Sequence, residues 1–410
     1  MNSSPLSIHN YPMLFLAATI SSLSFSYCAL HPSISFFTSQ ALFFGLFYVL
    51  FLLLIISNKR LHIRPSFLIF LCVCEFSILV NPIPSFATPQ LRLVIFLPFV
   101  ILFCAISSNI LVDFKRYLFI TILFFCTIGG VISSFMYMFS IALPDGRGVF
   151  YGIFRHSMVL GPIAGIGSLF CLYLSKLSKG HFRGISLVLF FICFVTTAIS
   201  GSRSAFIATL IGGGVFMSHF LKKMKLLLLI LGVGSLSFFS GRLTFMRNIQ
   251  AKQDYLVNYR EGTFSTRDFL WDALLEEIRE SPFSGSGFCY SSRLSDIDTG
   301  GVEPGSSWLF AWSTLGLFGF MLVIFFFFGT LFKGIKKIRN NPFHALCISV
   351  LSFLMFHTSA EGYMFSAGNL FCLITWLTLG VNLDNIEHFY DNHSTQSLPE
   401  TEASPSYSVF

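Results

Sequence analysis

The stretch Trp308-Leu-Phe-Ala-Trp-Ser-Thr-Leu-Gly-Leu-Phe-Gly-Phe-Met-Leu-Val-Ile-Phe-Phe-Phe-Phe-Gly-Thr-Leu331 runs for 24 residues without a charge. A helix of that length exceeds the hydrocarbon thickness of a bilayer, which about 20 apolar residues already span. Lys333, Lys336, Lys337 and Arg339 follow at once. An apolar span closed by a basic cluster is a membrane helix with a topology marker at its end. The same unit recurs along the chain, at about 11–30, 36–57, 65–81, 91–112, 117–142, 158–175, 184–200, 204–221, 226–240, 343–360 and 364–382. Counting 308–331, twelve spanning helices are expected. Of the 410 residues, 54% are hydrophobic and only 11% are charged, against roughly 25% charged in soluble domains. The fold class expected is therefore all-α and polytopic.

The basic residues fix an orientation. With the amino terminus inside, 15 of the 26 lysines and arginines fall in short inner loops, among them Arg64, Lys115 and Arg116. Ten of those 15 are lysine, whereas ten of the remaining 11 are arginine, Lys252 being the exception. Topology asks only for positive charge. A planar guanidinium that grips phosphate or carboxylate through two parallel hydrogen bonds explains an outer surplus of arginine. An anionic ligand on the outer face is expected, and the interspersed placement of the charges argues against a nucleic-acid partner. The layout divides into helices over 1–240, a large outer loop over 241–307, helices over 308–382 and a polar, disordered inner tail over 383–410. Nine of the ten cysteines lie in apolar runs and Cys289 in a polar one, so no disulfide framework, metal site or cofactor motif is readable. No basic region precedes Tyr11, and no cleavable signal is expected.

Several residues stand out as candidates for chemistry. In the large loop, Ser265-Thr266-Arg267-Asp268 opens a helix that runs to about Glu280 and is stopped by Pro282. Its apolar face is Trp271, Leu274, Leu275 and Ile278, and Asp268, Asp272 and Glu276 form a solvated stripe. Arg267 lies one turn before Trp271, at the edge of the apolar face. Gly285, Gly287 and Gly300–Gly301 supply flexible turns. Arg203, in Ser200-Gly-Ser-Arg-Ser-Ala205, stands between two apolar segments with almost no loop, where a charge needs a partner. Arg147, Arg155 and His156 occupy another outer loop, and His156 offers a base or a hydrogen-bond donor. Glu75 and Glu361 are carboxylates within or at the ends of membrane helices, suited to pairing with an outer arginine.

Three of these segments together resemble the O-antigen ligase/polymerase (Wzy_C-type) family of membrane glycosyltransferases. They are Ser200-Gly-Ser-Arg-Ser-Ala-Phe206, Arg267-Asp-Phe-Leu-Trp271 with Glu280-Ser-Pro-Phe-Ser-Gly-Ser-Gly287, and Ser306-Ser-Trp-Leu309 with Gly316-Leu-Phe-Gly319. Gly152-Ile-Phe-Arg-His156 adds a fourth element, and the first five helices resemble the family only in hydropathy. The resemblance implies a GT-C-like fold in the bacterial inner membrane, with both termini cytoplasmic and the active site periplasmic. It also implies metal-independent transfer of a glycan from undecaprenyl pyrophosphate. Arg203 and Arg267 would neutralise the departing diphosphate, with Arg155 and Arg260 in support and His156, Arg147 and Trp271 as further substrate contacts. The acceptor is a lipid-linked repeat unit in polymerases and lipid A-core in ligases, and a chain-length regulator is a natural partner of the former. In ligases a histidine precedes the last motif; here that position is Gly305, no histidine occurs in 241–307, and Glu303 is the carboxylate placed to act as base. This favours a polymerase over a ligase. A lipid-linked glycan transporter and a non-catalytic export scaffold are the competing classes; neither internal repeats nor inverted symmetry supports the former.

Overall fold

The computed structural model describes residues 61–84, 88–141, 150–220, 266–295, 304–338 and 341–396, with scattered positions between 17 and 56. The predicted helix at 226–240, most of those at 11–30 and 36–57, and the candidates Arg147, Arg260 and Glu303 lie outside these residues. The described chain is almost entirely helical. A two-residue strand β1 (His62–Ile63) leads into α1 (Pro65–Val80), which has proline at its first position, where no backbone N–H is needed. Next comes α2 (Pro89–Val100), which contains Pro98 and passes into a π-helical turn at Ile101–Ala105 and the strand β2 (Ile106–Ser107). β1 and β2 pair antiparallel, Ile63 opposite Ile106. The expected single helix over 91–112 therefore ends early, because Pro98 and the wide turn break the regular ladder and the chain turns at β2.

Ser108 then caps α3 (Asn109–Met138), its hydroxyl accepting from the Leu111 amide at 3.3 Å. The hairpin-like sequence α4 (Ser157–Leu177), α5 (Gly180–Ile199) and α6 (Arg203–Ser218) follows. Beyond the large loop's α7 (Thr266–Glu280) and short α8 (Ser292–Ser295) come α9 (Ser307–Lys337), α10 (Pro342–His357) and α11 (Leu370–Gln396). The polar tail expected from 383 is helical as far as Gln396, since Asp384 and Ile386 are buried against the bundle. Four of these helices, α3, α4, α5 and α9, are long and apolar enough to cross a membrane. Large apolar side chains on the outside, such as Phe182, Phe318, Phe325 and Phe332, are more than half exposed. A lipid solvent, not water, makes such a surface stable. The chain is an all-α membrane protein.

Inside, Trp376 of α11 is fully buried against Phe70, Phe96 and Phe327, with ring centroids 5.3–5.8 Å apart. Gly380 lets the π-helical turn approach, since a Cβ there would meet the Phe103 carbonyl. At one end of the bundle a closed ionic network joins α1, α3 and α11. Arg64 bonds Asp384 at 2.6 Å and Glu387 at 2.5 Å, and Lys115 bonds Asp384 at 3.0 Å. Lys115 and Arg116, expected in a short loop, lie inside α3, and Lys115 is 0% exposed. A lysine can be buried there because Asp384 and the Ile106 carbonyl satisfy it.

Candidate active site

The functional candidates gather at the opposite end of the bundle, and a break in α9 sets their positions. Gly316 has φ +65° and ψ −174° in the middle of that helix. The backbone opened there receives the loop after α7. The Ser286 and Gly287 amides donate to the carbonyls of Ser313 and Thr314 at 2.8 and 3.0 Å, and the Leu317 amide donates to Pro282 at 2.9 Å. Cβ atoms at Gly285 and Gly316 would overlap the facing backbone. Of the glycines read as flexible turns, Gly285 and Gly287 are thus sites of close approach, locked by hydrogen bonds, and Gly300–Gly301 lie outside the described residues.

That docking lays α7 across the end of the bundle. Leu274 and Ile278 are buried and Trp271 is half-buried, as its periodicity predicts, but Leu275 is 38% exposed and Glu277 is 2% exposed. Successive residues turn by about 100°, so position 277 shares the side of Leu274 while 275 rotates off it. Glu277 survives burial because its Oε1 accepts from the Ser292 amide and hydroxyl at 2.9 and 3.1 Å. Burial still pushes its carboxyl above the usual range. The Trp271 indole N–H donates to the Gly305 carbonyl at 3.1 Å, tying α7 to the start of α9.

Arg267 projects from the edge of this face and forms an ion pair with Glu361, whose side chain is 3% exposed. Ser204, at the start of α6, reaches the same carboxylate at 3.4 Å. The turn after α10 that carries Glu361 is fixed by Ser307, whose amide donates to the Thr358 and Glu361 carbonyls at 2.9 and 3.1 Å. The Ser307 hydroxyl adds a bond to the Glu361 carbonyl at 2.7 Å. The motif Ser306-Ser307 is therefore a capping and clamping device: Ser306 caps α9 and Ser307 holds the glutamate turn.

Beside this turn lies a cavity of about 650 Å³. Its lining includes Arg92, Arg155, His357, Glu361, Tyr363 and Pro304. Arg92 is fixed by donating to the Cys289 carbonyl at 2.7 Å, and Arg155 by donating to the Leu30 carbonyl at 3.0 Å. Two guanidinium groups in the lining, with a third paired to Glu361, suit the cavity to an anion.

Of the sequence-predicted residues, Arg155 lines the cavity and Arg267 reaches it through Glu361. Trp271 serves as a tether. His156 is the N-cap of α4, its Nδ1 accepting from the Met158 amide at 3.1 Å, a structural use of the ring. Arg203 is exposed at the first position of α6, beside the Ser204 that approaches Glu361, and is not among the cavity-lining residues. Glu75 is exposed on α1. Arg92, His357 and Tyr363 carried no motif. Only the outer surplus of arginine pointed to the first, and nothing local marked the other two.

Residues 188–324 match the O-antigen ligase family model. The matched segment covers about a third of the chain, from α5 through α7 to just past the kink of α9. It therefore includes Arg203, Arg267, Trp271 and Gly316. The cavity residues Arg92, Arg155, His357 and Glu361 come from outside it, so the matched segment and the rest of the bundle meet at the Arg267–Glu361 pair. No curated protein matches the chain. The family match supports a function of the O-antigen ligase or polymerase type in general.

Proposed function

We propose that this protein is an O-antigen or surface-polysaccharide polymerase, which moves a glycan from undecaprenyl pyrophosphate to a lipid-linked repeat unit at the periplasmic face of the inner membrane. The observation that carries this reading is the cavity with Arg92 and Arg155 in its lining and Arg267 held at its edge by Glu361. As the acceptor oxygen bonds the anomeric carbon, the bond from that carbon to the pyrophosphate breaks and negative charge grows on the departing diphosphate. Guanidinium groups already held in place stabilise that charge without reorganising, and no metal is needed for the role. Arg203, exposed at the first position of α6 beside Ser204, is assigned the role of a further cation. The acceptor hydroxyl gives its proton to a base, a part assigned to Glu303 by its position in the sequence, with Gly305 where a ligase has histidine. Lipid-linked donor, lipid-linked acceptor and a chain-length regulator are the partners this reaction requires.

The description of the matched family favours a second reading, a ligase whose acceptor is lipid A-core. The lipopolysaccharide of a deletion strain separates the two. One repeat unit left on the core means a lost polymerase; bare core with free lipid-linked polymer means a lost ligase. A transporter is tested by Arg203→Lys. Movement of a bulky anion tolerates a retained charge, whereas a two-point diphosphate contact does not, so loss of polymer with the lysine variant supports the enzyme.

A further inference from the structure

The cavity has a second chemical character that the diphosphate does not use. His357 ends α10, lines the cavity and is 1% exposed. Its Nδ1 lies 2.9 Å from the Tyr363 hydroxyl, while its Nε2 has no hydrogen-bond partner among the described residues. A buried polar atom left open in this way is costly unless something else satisfies it. The imidazole cannot swing to find a partner. It stacks on Phe353 at 5.6 Å and 16°, and Tyr363 and Phe371 flank it at 5.6 and 6.4 Å. Tyr363 and Phe371 contact each other at 5.2 Å. The exposed amide of Asn369 and hydroxyl of Ser366 also line the cavity. Apart from Glu361, which is paired with Arg267, the stretch from 357 to 371 thus presents fixed aromatic rings and neutral hydrogen-bonding groups, whereas the cations Arg92 and Arg155 come from α2 and the turn before α4.

We infer that His357 and Tyr363 form a sugar-reading subsite, which hydrogen-bonds hydroxyls of the glycan next to the diphosphate while the surrounding rings cover its apolar face. This rests on the reading of the cavity as the site for a lipid-linked glycan. Either tautomer of the histidine serves. If Nδ1 donates to the tyrosine, Nε2 accepts from a sugar hydroxyl; if the tyrosine donates, Nε2 carries the proton and donates to one. A sugar ring, with polar edges and apolar faces, fits such a wall, and a bare diphosphate has no use for it.

The test uses the full-length protein in lipid nanodiscs and two probes. One is undecaprenyl pyrophosphate alone, and the other is the undecaprenyl pyrophosphate-linked oligosaccharide extracted from the protein's own host with the gene deleted. The wild type should bind the glycan-bearing lipid about tenfold more tightly than the bare one, the scale set by one or two hydrogen bonds. His357→Gln and Tyr363→Phe should bring that ratio towards one and leave affinity for the bare lipid within about twofold. Arg92→Gln should weaken both lipids together. A wild type with no preference for the glycan, or variants that keep the preference, would overturn the subsite. If His357→Gln fails to fold, Tyr363→Phe, which removes only a hydroxyl, decides the matter. A wild type that prefers the glycan yet transfers it to neither acceptor would sink the enzymatic reading and leave the subsite standing.

Discussion

Arg267 and Glu361 are 94 positions apart and meet in one ion pair. Neither is informative alone: a loop arginine and a carboxylate after an apolar run are each common. Together they fix a guanidinium at the rim of a cavity. Arg267→Lys keeps the charge and loses the planar fork, so glycan transfer should fall about 100-fold or more with little change in thermal stability; an unaltered rate of transfer would remove Arg267 from the chemistry. Glu277 makes a different prediction. Its raised folded-state pKa means the fold binds that proton more tightly than the unfolded chain does. The stability it contributes is therefore complete below the ordinary carboxylate range and disappears as pH rises through the raised value. Hydrogen exchange across 266–295 should accelerate as pH rises above the ordinary carboxylate range, beyond its intrinsic pH dependence, and Glu277→Gln should flatten that excess.

At the scale of elements, two junctions hold the architecture, and both depend on residues distant in sequence. The break in α9 at Gly316 exposes carbonyls that the 282–287 loop occupies, so α7 is placed by backbone hydrogen bonds and not by its own amphipathic face alone. Gly316→Ala forces a side chain into a left-handed conformation against the Phe283 carbonyl. It should cost about 1–3 kcal/mol from backbone strain alone and undock α7, seen as protease cleavage within 266–295 and loss of transfer. Cleavage resistance equal to wild type would show that the docking does not depend on this glycine. At the other end, Asp384 receives both Arg64 and Lys115. Asp384→Ala leaves buried Lys115 without a carboxylate and Arg64 with Glu387 alone, and should lower stability by about 3–5 kcal/mol, measured as a drop in the melting temperature of the purified protein. The network is far from the cavity, so residual folded protein should keep its affinity for lipid-linked donor.

Across the whole molecule, the bundle has two unlike ends. One is a closed ionic network, fully paired; the other is open, arginine-lined and aromatic. The topology proposed from the basic clusters puts the open end outside. A single cysteine at Glu280 should react with a membrane-impermeant maleimide in intact spheroplasts, and one at Lys336 only after lysis. The reverse pattern would invert the topology and remove the periplasmic site. Parts of this layout were legible beforehand because lipid imposes them. α3, α4, α5 and α9 overlap the apolar runs read as helices, with ends shifted by up to eight residues. The start of α7 and the projection of Arg267 from its edge follow from a capping pattern and a 100° periodicity. The long π-turned junction at 98–108 was not legible, because a proline inside an apolar run leaves hydropathy unchanged while removing a helical hydrogen bond. The helix through Gln396 was missed for a related reason: its polar residues read as a solvated tail, but Asp384 is polar in order to satisfy buried cations.

By itself the amino-acid sequence determined that this chain lives in lipid and that its helices are apolar, four of the described ones long enough to cross a membrane. These properties follow from local composition and period, which each segment carries without reference to the others. The tertiary structure alone decided that Arg267 answers to Glu361, that Arg92 and Arg155 share a cavity with His357 and Tyr363, and that three glycines are docking points. Such facts depend on which side chains meet across tens or hundreds of intervening residues, and a meeting of that kind is a property of packing that no single stretch encodes.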